Sequence, residues 1–116
     1  MSANENLRRL SEWIDNAPIN VEQSQEARLW GRTAKVAEEA GEVISEVVLL
    51  TGQNPRKAYG GNVLDLEAEM YDVAITALGA IWHLYDNEPG ATDVIAGLEA
   101  AVAKVAERAL PFGIGS

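Results

Sequence analysis

A chain of 116 residues with no cysteine and a formal charge of −9 at pH 7 excludes disulfide frameworks, thiolate metal sites and thiol nucleophiles. Its acidity also argues against a nucleic-acid polymer as ligand, because no basic surface is present to displace counterions from phosphates. The length predicts one domain over residues 1–116, and the 47% hydrophobic share predicts a folded core.

In chain order, Leu7, Leu10, Trp13 and Ile14 mark a short amphipathic first helix, ended by the Asn16-Ala17-Pro18 break. A polar stretch with Ser24 as a cap leads to Leu29 and Trp30, read as a further turn or short helix. A long helix then runs from about Arg32 to Leu50, with Val36, Ala40, Val43, Ile44 and Val47 on its core face. Gly52 suits its C-terminal cap, and Pro55 and the Gly60-Gly61 pair forbid continuation. Another long helix spans Val63 to Tyr85 and is closed by Asp86-Asn87-Glu88-Pro89-Gly90. The last runs from Thr92, as N-cap, to Ala109, before Pro111. Nothing alternates as a strand does. The expectation is an all-α bundle of four to five helices, its two long helices packed together and the whole completed by oligomerisation. Met1 to Asn6 are polar and no run of 18 apolar residues occurs, so neither signal peptide nor membrane span is expected, and a cytoplasmic location is.

The two long helices carry acidic pairs at one-turn spacing, Glu38-Glu39-Ala-Gly-Glu42 and Glu69-Met-Tyr-Asp72. Residues three or four apart share a helix face. Lys35, Glu39, Glu42 and Glu46 therefore form one stripe, and Asp65, Glu69, Asp72 and Thr76 a matching one. If the stripes face each other, Glu39, Glu42, Glu69 and Asp72 meet, and their mutual repulsion is costly unless a cation sits among them. Hard oxygen ligands without thiolate or imidazole favour magnesium, with manganese as a substitute. Acids at this spacing are commonly mere solvated surface. Here both stripes abut apolar faces, and the second lies in the most apolar helix of the chain, where acids want a reason. That helix is apolar on its other side too, through Ala68, Tyr71, Ile75 and Trp82, which marks it as central to a bundle or to a subunit interface.

The pattern Glu38-Glu39-x-x-Glu42, 26 residues, then Glu69-x-x-Asp72 resembles the signature of the MazG-like, all-α nucleoside triphosphate pyrophosphohydrolases. Lys35-Val-Ala-Glu-Glu-Ala-Gly-Glu-Val and Glu69-Met-Tyr-Asp-Val-Ala-Ile sit in the helical contexts that family shows, and the likeness extends over about residues 7–109. The resemblance implies that Glu39, Glu42, Glu69 and Asp72 bind magnesium, and that Glu38 helps to hold a second metal or orients the attacking water. It implies hydrolysis of (deoxy)nucleoside triphosphates to monophosphate and pyrophosphate, as nucleotide-pool house-cleaning, in a homodimer or homotetramer. The long glycine-rich segment from Thr51 to Gly61 departs from the family pattern.

Basic residues should cover phosphate oxygens that metal leaves bare. Lys104 and Arg108, one turn apart on the last helix, are candidates against salt bridges to Glu107 or neighbouring acids. Arg56 and Lys57 lie in the glycine-rich segment, and Lys35 on the carboxylate stripe can serve either purpose. Trp30 and Trp13 are candidates for stacking on a base, against the commoner core role. His83, the sole histidine, reads as structural or exposed. Ferritin-like di-iron bundles need two Glu-x-x-His motifs, and Ala80 stands three residues before His83. No Walker loop, dinucleotide fingerprint or Gly-x-Ser-x-Gly elbow occurs. The rival reading is a non-catalytic helical oligomerisation or interaction module whose acids serve solubility.

Overall fold

The computed structural model describes residues 1–53 and 60–110; the expectations placed on Pro55, Arg56, Lys57 and Pro111 lie outside them. Among the described residues the chain forms five α-helices and no strand.

Helix α1 (Ala3–Asp15) starts where the Ser2 hydroxyl accepts the Glu5 N–H at 3.1 Å. It stops because Pro18 pushes Ala17 to an extended conformation, ψ 141°. Pro18 then opens a one-turn helix, α2 (Pro18–Val21), at the first position, where its missing N–H costs nothing. The sequence reading did not foresee this turn. It also broke the next helix in two, whereas α3 (Gln25–Thr51) is continuous. The Ser24 hydroxyl accepts the Ala27 N–H at 3.1 Å, and the residues that follow it, Gln25-Glu-Ala-Arg-Leu, are strong helix formers that run straight into the periodic segment. Ser24→Ala is expected to cost about 1 kcal/mol of stability, measurable as a lower denaturation midpoint with unchanged slope.

Gly52 ends α3 in the left-handed region, φ 65°, and donates its N–H to Val48 O. Asn62 caps α4 (Val63–Leu84), its Oδ1 accepting the Asp65 N–H at 2.9 Å. After α4, Asp86 and Asn87 both take positive φ, 56° and 55°, as these two residue types tolerate. The cap of α5 (Val94–Ala109) is Asp93 rather than Thr92: Asp93 Oδ1 accepts from both Ile95 N and Ala96 N. Thr92 instead gives its carbonyl to Asn4 Nδ2.

Helix α4 is central, packed lengthwise against α3 and, on another side, against α1. The core cluster is Leu7, Trp82 and Val94, with Leu78 and Ile95 against it. Asn4 Oδ1 accepts from Trp82 Nε1 at 3.1 Å and from Val94 N at 2.9 Å, clipping together α1, the end of α4 and the start of α5. Trp82, expected on the outward face with Tyr71 and Ile75, is thus 1% exposed within its own chain. Tyr71, Ile75 and Ala68 are exposed, as are Ile44 and Ala40 from the expected core face of α3, while Val36, Val43 and Val47 are half-buried.

Beyond Ile95, α5 leaves the body: from Ala96 to Leu110 every residue except Ala106 is exposed. Among the described residues no helix is long and apolar enough to cross a membrane.

Candidate metal centre and the adjoining cavity

Packing α3 along α4 brings three carboxylates together. One oxygen each of Glu39 on α3 and of Glu69 and Asp72 on α4 lie within 4.8 Å of one another. Glu69 and Asp72 share a face because they are three residues apart, and Glu39 reaches them across the helix contact. Glu39 and Glu69 are half-buried and Asp72 is exposed. Desolvation, then the charges of Asp72, Glu42, Glu39 and Glu46, hold the Glu69 carboxyl above the usual carboxylate range. Such a set of hard oxygens, with Lys35 as a partner of Glu39 alone, can hold a metal ion. Glu42 falls outside the group of three, although its charge reaches Glu69.

Lys35 brings a cation to its own acidic stripe. Its Nζ lies 3.1 Å from Glu38 Oε1 and 3.6 Å from Glu39 Oε1, and these acids, Glu38 first, raise its pKa above the ordinary lysine value. Glu38 itself is exposed and turned to Lys35 rather than to the carboxylate group.

A cavity of about 490 Å³ opens beside the cluster, between α1, α2, α3 and α4. Lys35 and Thr76 border it, next in line along the stripes to Glu39 and Asp72. Its walls are apolar, with Leu10, Ile14 and Ile75, and Trp13 stands there 74% exposed. Its floor is polar and rigid. Arg32 Nη1 donates to Asp15 Oδ1 at 3.0 Å and its Nη2 to Ser11 Oγ at 3.0 Å. Behind them Asp15 Oδ2 meets His83 Nδ1 at 2.7 Å and Asn87 Nδ2 at 2.8 Å, and Ser11 donates to Asn87 Oδ1. Burial pushes the Asp15 carboxyl up, but the bonds from His83 and Asn87 and the Arg32 charge outweigh it and hold the group below its ordinary value.

Sequence reading placed His83 as structural or exposed; it is buried and structural. The rest of this polar floor went unseen. Its signal was Ser11 and Asp15 following Leu7 at one- and two-turn spacing, on the buried side of α1. Trp30 is 70% exposed and lines neither the cavity nor the cluster. Lys104 and Arg108 lie on the uncovered part of α5 and form no ion pair among the described residues, so the salt bridge to Glu107 is not made. No protein family, curated protein or solved structure matches the chain.

Proposed function

We propose that the chain is a magnesium-dependent nucleoside triphosphate pyrophosphohydrolase of the MazG-like kind, acting on nucleotides of the cytoplasmic pool. The observation that carries this reading is the convergence of Glu39, Glu69 and Asp72 from two helices onto one point. These residues fit a magnesium or manganese ion; Glu42, outside the group of three, contributes its charge through Glu69. Bound there, the ion supplies charge neutralisation for a triphosphate and a more acidic water. The chain supplies the rest. Glu38, one turn from Glu42 and open to solvent but paired with Lys35, is assigned the proton of the attacking water, a role that requires its carboxylate to leave Lys35 and turn to the metal centre. Lys35, held at the stripe by Glu38 and Glu39, covers a phosphate oxygen. No covalent nucleophile is required.

The second reading, an oligomerisation module, draws on a different observation and joins the first rather than competing with it. Leu98, Val102 and Val105 form an uncovered apolar stripe on α5, and Ile44 and Tyr71 are open on α3 and α4. We assign these faces to contacts between copies in a homodimer or homotetramer. Sedimentation at micromolar concentration is expected to give a multiple of the chain mass; a monomer would remove the assembly.

The activity is tested with ribo- and deoxyribonucleoside triphosphates and magnesium, with products separated by chromatography. Monophosphate and pyrophosphate in equal amounts are expected. Magnesium with a non-hydrolysable analogue should also raise the melting temperature, since ligand at a hundred times its dissociation constant stabilises by about 2.7 kcal/mol. Neither turnover nor a thermal shift with any nucleotide would reduce the protein to the module.

A further inference from the structure

We infer that the cavity between α1, α2, α3 and α4 is the nucleoside pocket of this site, with the base stacked on Trp13 and its polar edge met by Asn20, Gln23 and Arg28. This rests on the hydrolase reading of the carboxylates.

The placement follows from helix geometry. Lys35 precedes Glu39 by four residues and Thr76 follows Asp72 by four, so the cavity begins about 6 Å along each stripe from the carboxylates. Arg28, seven residues before Lys35, lies about 10 Å further along α3. The cavity therefore extends away from the carboxylates over roughly the length of a nucleoside. Its volume of about 490 Å³ falls in the range of small-molecule sites, which combine apolar walls with a few fixed polar groups.

The chemistry selects the ligand class. Leu10, Ile14 and Ile75 offer flat apolar contact, and the open Trp13 ring offers a stacking face. A simple phosphate would use none of these. A wholly apolar ligand would strip water from the polar far end without replacing its hydrogen bonds. That far end is held in place. Arg28 Nη1 donates to the carbonyls of Asn20, Val21 and Gln23 at 3.3, 3.4 and 2.9 Å, and Asn20 Nδ2 donates to Ile14 O at 2.8 Å. Fixed this way, Asn20 leaves its Oδ1 for a ring or amino N–H, and the Gln23 amide can offer either role. A heteroaromatic base carrying a sugar satisfies walls, stacking face and polar end together.

The test uses Gly31→Leu and Trp13→Ala in the full chain. A Cβ at Gly31 meets nothing within 4 Å, and the position lines the cavity, so leucine there fills space without displacing the polar floor. Calorimetric titrations with magnesium present compare the α,β-methylene analogues of the four common deoxynucleoside triphosphates with inorganic tripolyphosphate. Each variant is expected to weaken the tightest-binding analogue at least about tenfold, the scale of losing a base–aromatic stack, and to leave tripolyphosphate unchanged. Equal affinity of the natural protein for nucleotide and tripolyphosphate, or variants that bind nucleotide as it does, would overturn the pocket and leave the hydrolase reading standing. A nucleotide held in the cavity but not hydrolysed in its natural form would sink the hydrolase reading alone. Binding of neither probe overturns both.

Discussion

Asp15→Ala is expected to lower the unfolding free energy by about 3 kcal/mol, with a fall in melting temperature of roughly 10 °C at fixed protein concentration. The substitution leaves Arg32, whose side chain is 10% exposed, without its counter-ion, and takes from His83 and Asn87 the acceptor they share. An uncompensated buried charge is what makes this large. The effect has a pH signature. Because the folded-state pKa of Asp15 is depressed, its contribution is complete above the ordinary aspartate value of 3.8 and is lost as pH falls through the lower folded value. Acid titration followed by circular dichroism should show natural protein and variant far apart above the ordinary aspartate value and converging as pH falls below it. A constant gap across that window would show that Asp15 acts by packing instead.

Glu69→Gln and Asp72→Asn are expected to reduce hydrolysis by at least about 100-fold, more than the loss usual for removing a group that merely orients a metal ligand. In the presence of a chelator, however, Glu69→Gln should be the more stable protein. The folded carboxyl has a raised pKa, so it favours folding only when protonated; that contribution is present below the unfolded value of 4.5 and lost as pH rises through the folded one. The amide escapes this loss at neutral pH. Adding magnesium should reverse the order by stabilising the natural protein alone. Thermal melts with chelator and with metal check both halves, and full activity in either variant would remove the carboxylates from the chemistry.

What the sequence revealed and what it hid divide along a physical line. The helical class, the Gly52 stop and the composition of each acidic stripe were legible because each depends on residues within a few turns of one another: 3.6-residue periodicity, a left-handed cap and same-face spacing; that the stripes meet rests on the packing of α3 along α4. The extent of α3 was missed since a polar stretch was given more weight than the Ser24 cap in front of it. Which apolar residues α4 buries on the side away from its acid stripe could not be read. That helix is apolar nearly all round, and only the approach of α1 and α5 decides that Trp82 is interior while Tyr71 stays open. The Asp15, Arg32 and His83 cluster was invisible for the same reason: its members stand 17 and 68 residues apart, joined only by tertiary packing.

The Ser11, Asp15 and Arg32 floor of the cavity is at once a wall of the proposed nucleoside pocket and a keystone of the fold, which constrains how this protein can diverge. A lineage that altered the floor to admit a new ligand would lose the native state before selection could act on the new activity. The side chains of Trp13 and Gln23 are exposed and carry no such burden, the Gln23 contribution to the fold being made by its backbone. Changes in ligand preference among descendants of this sequence should therefore accumulate at those two positions, while the triad beneath them stays fixed.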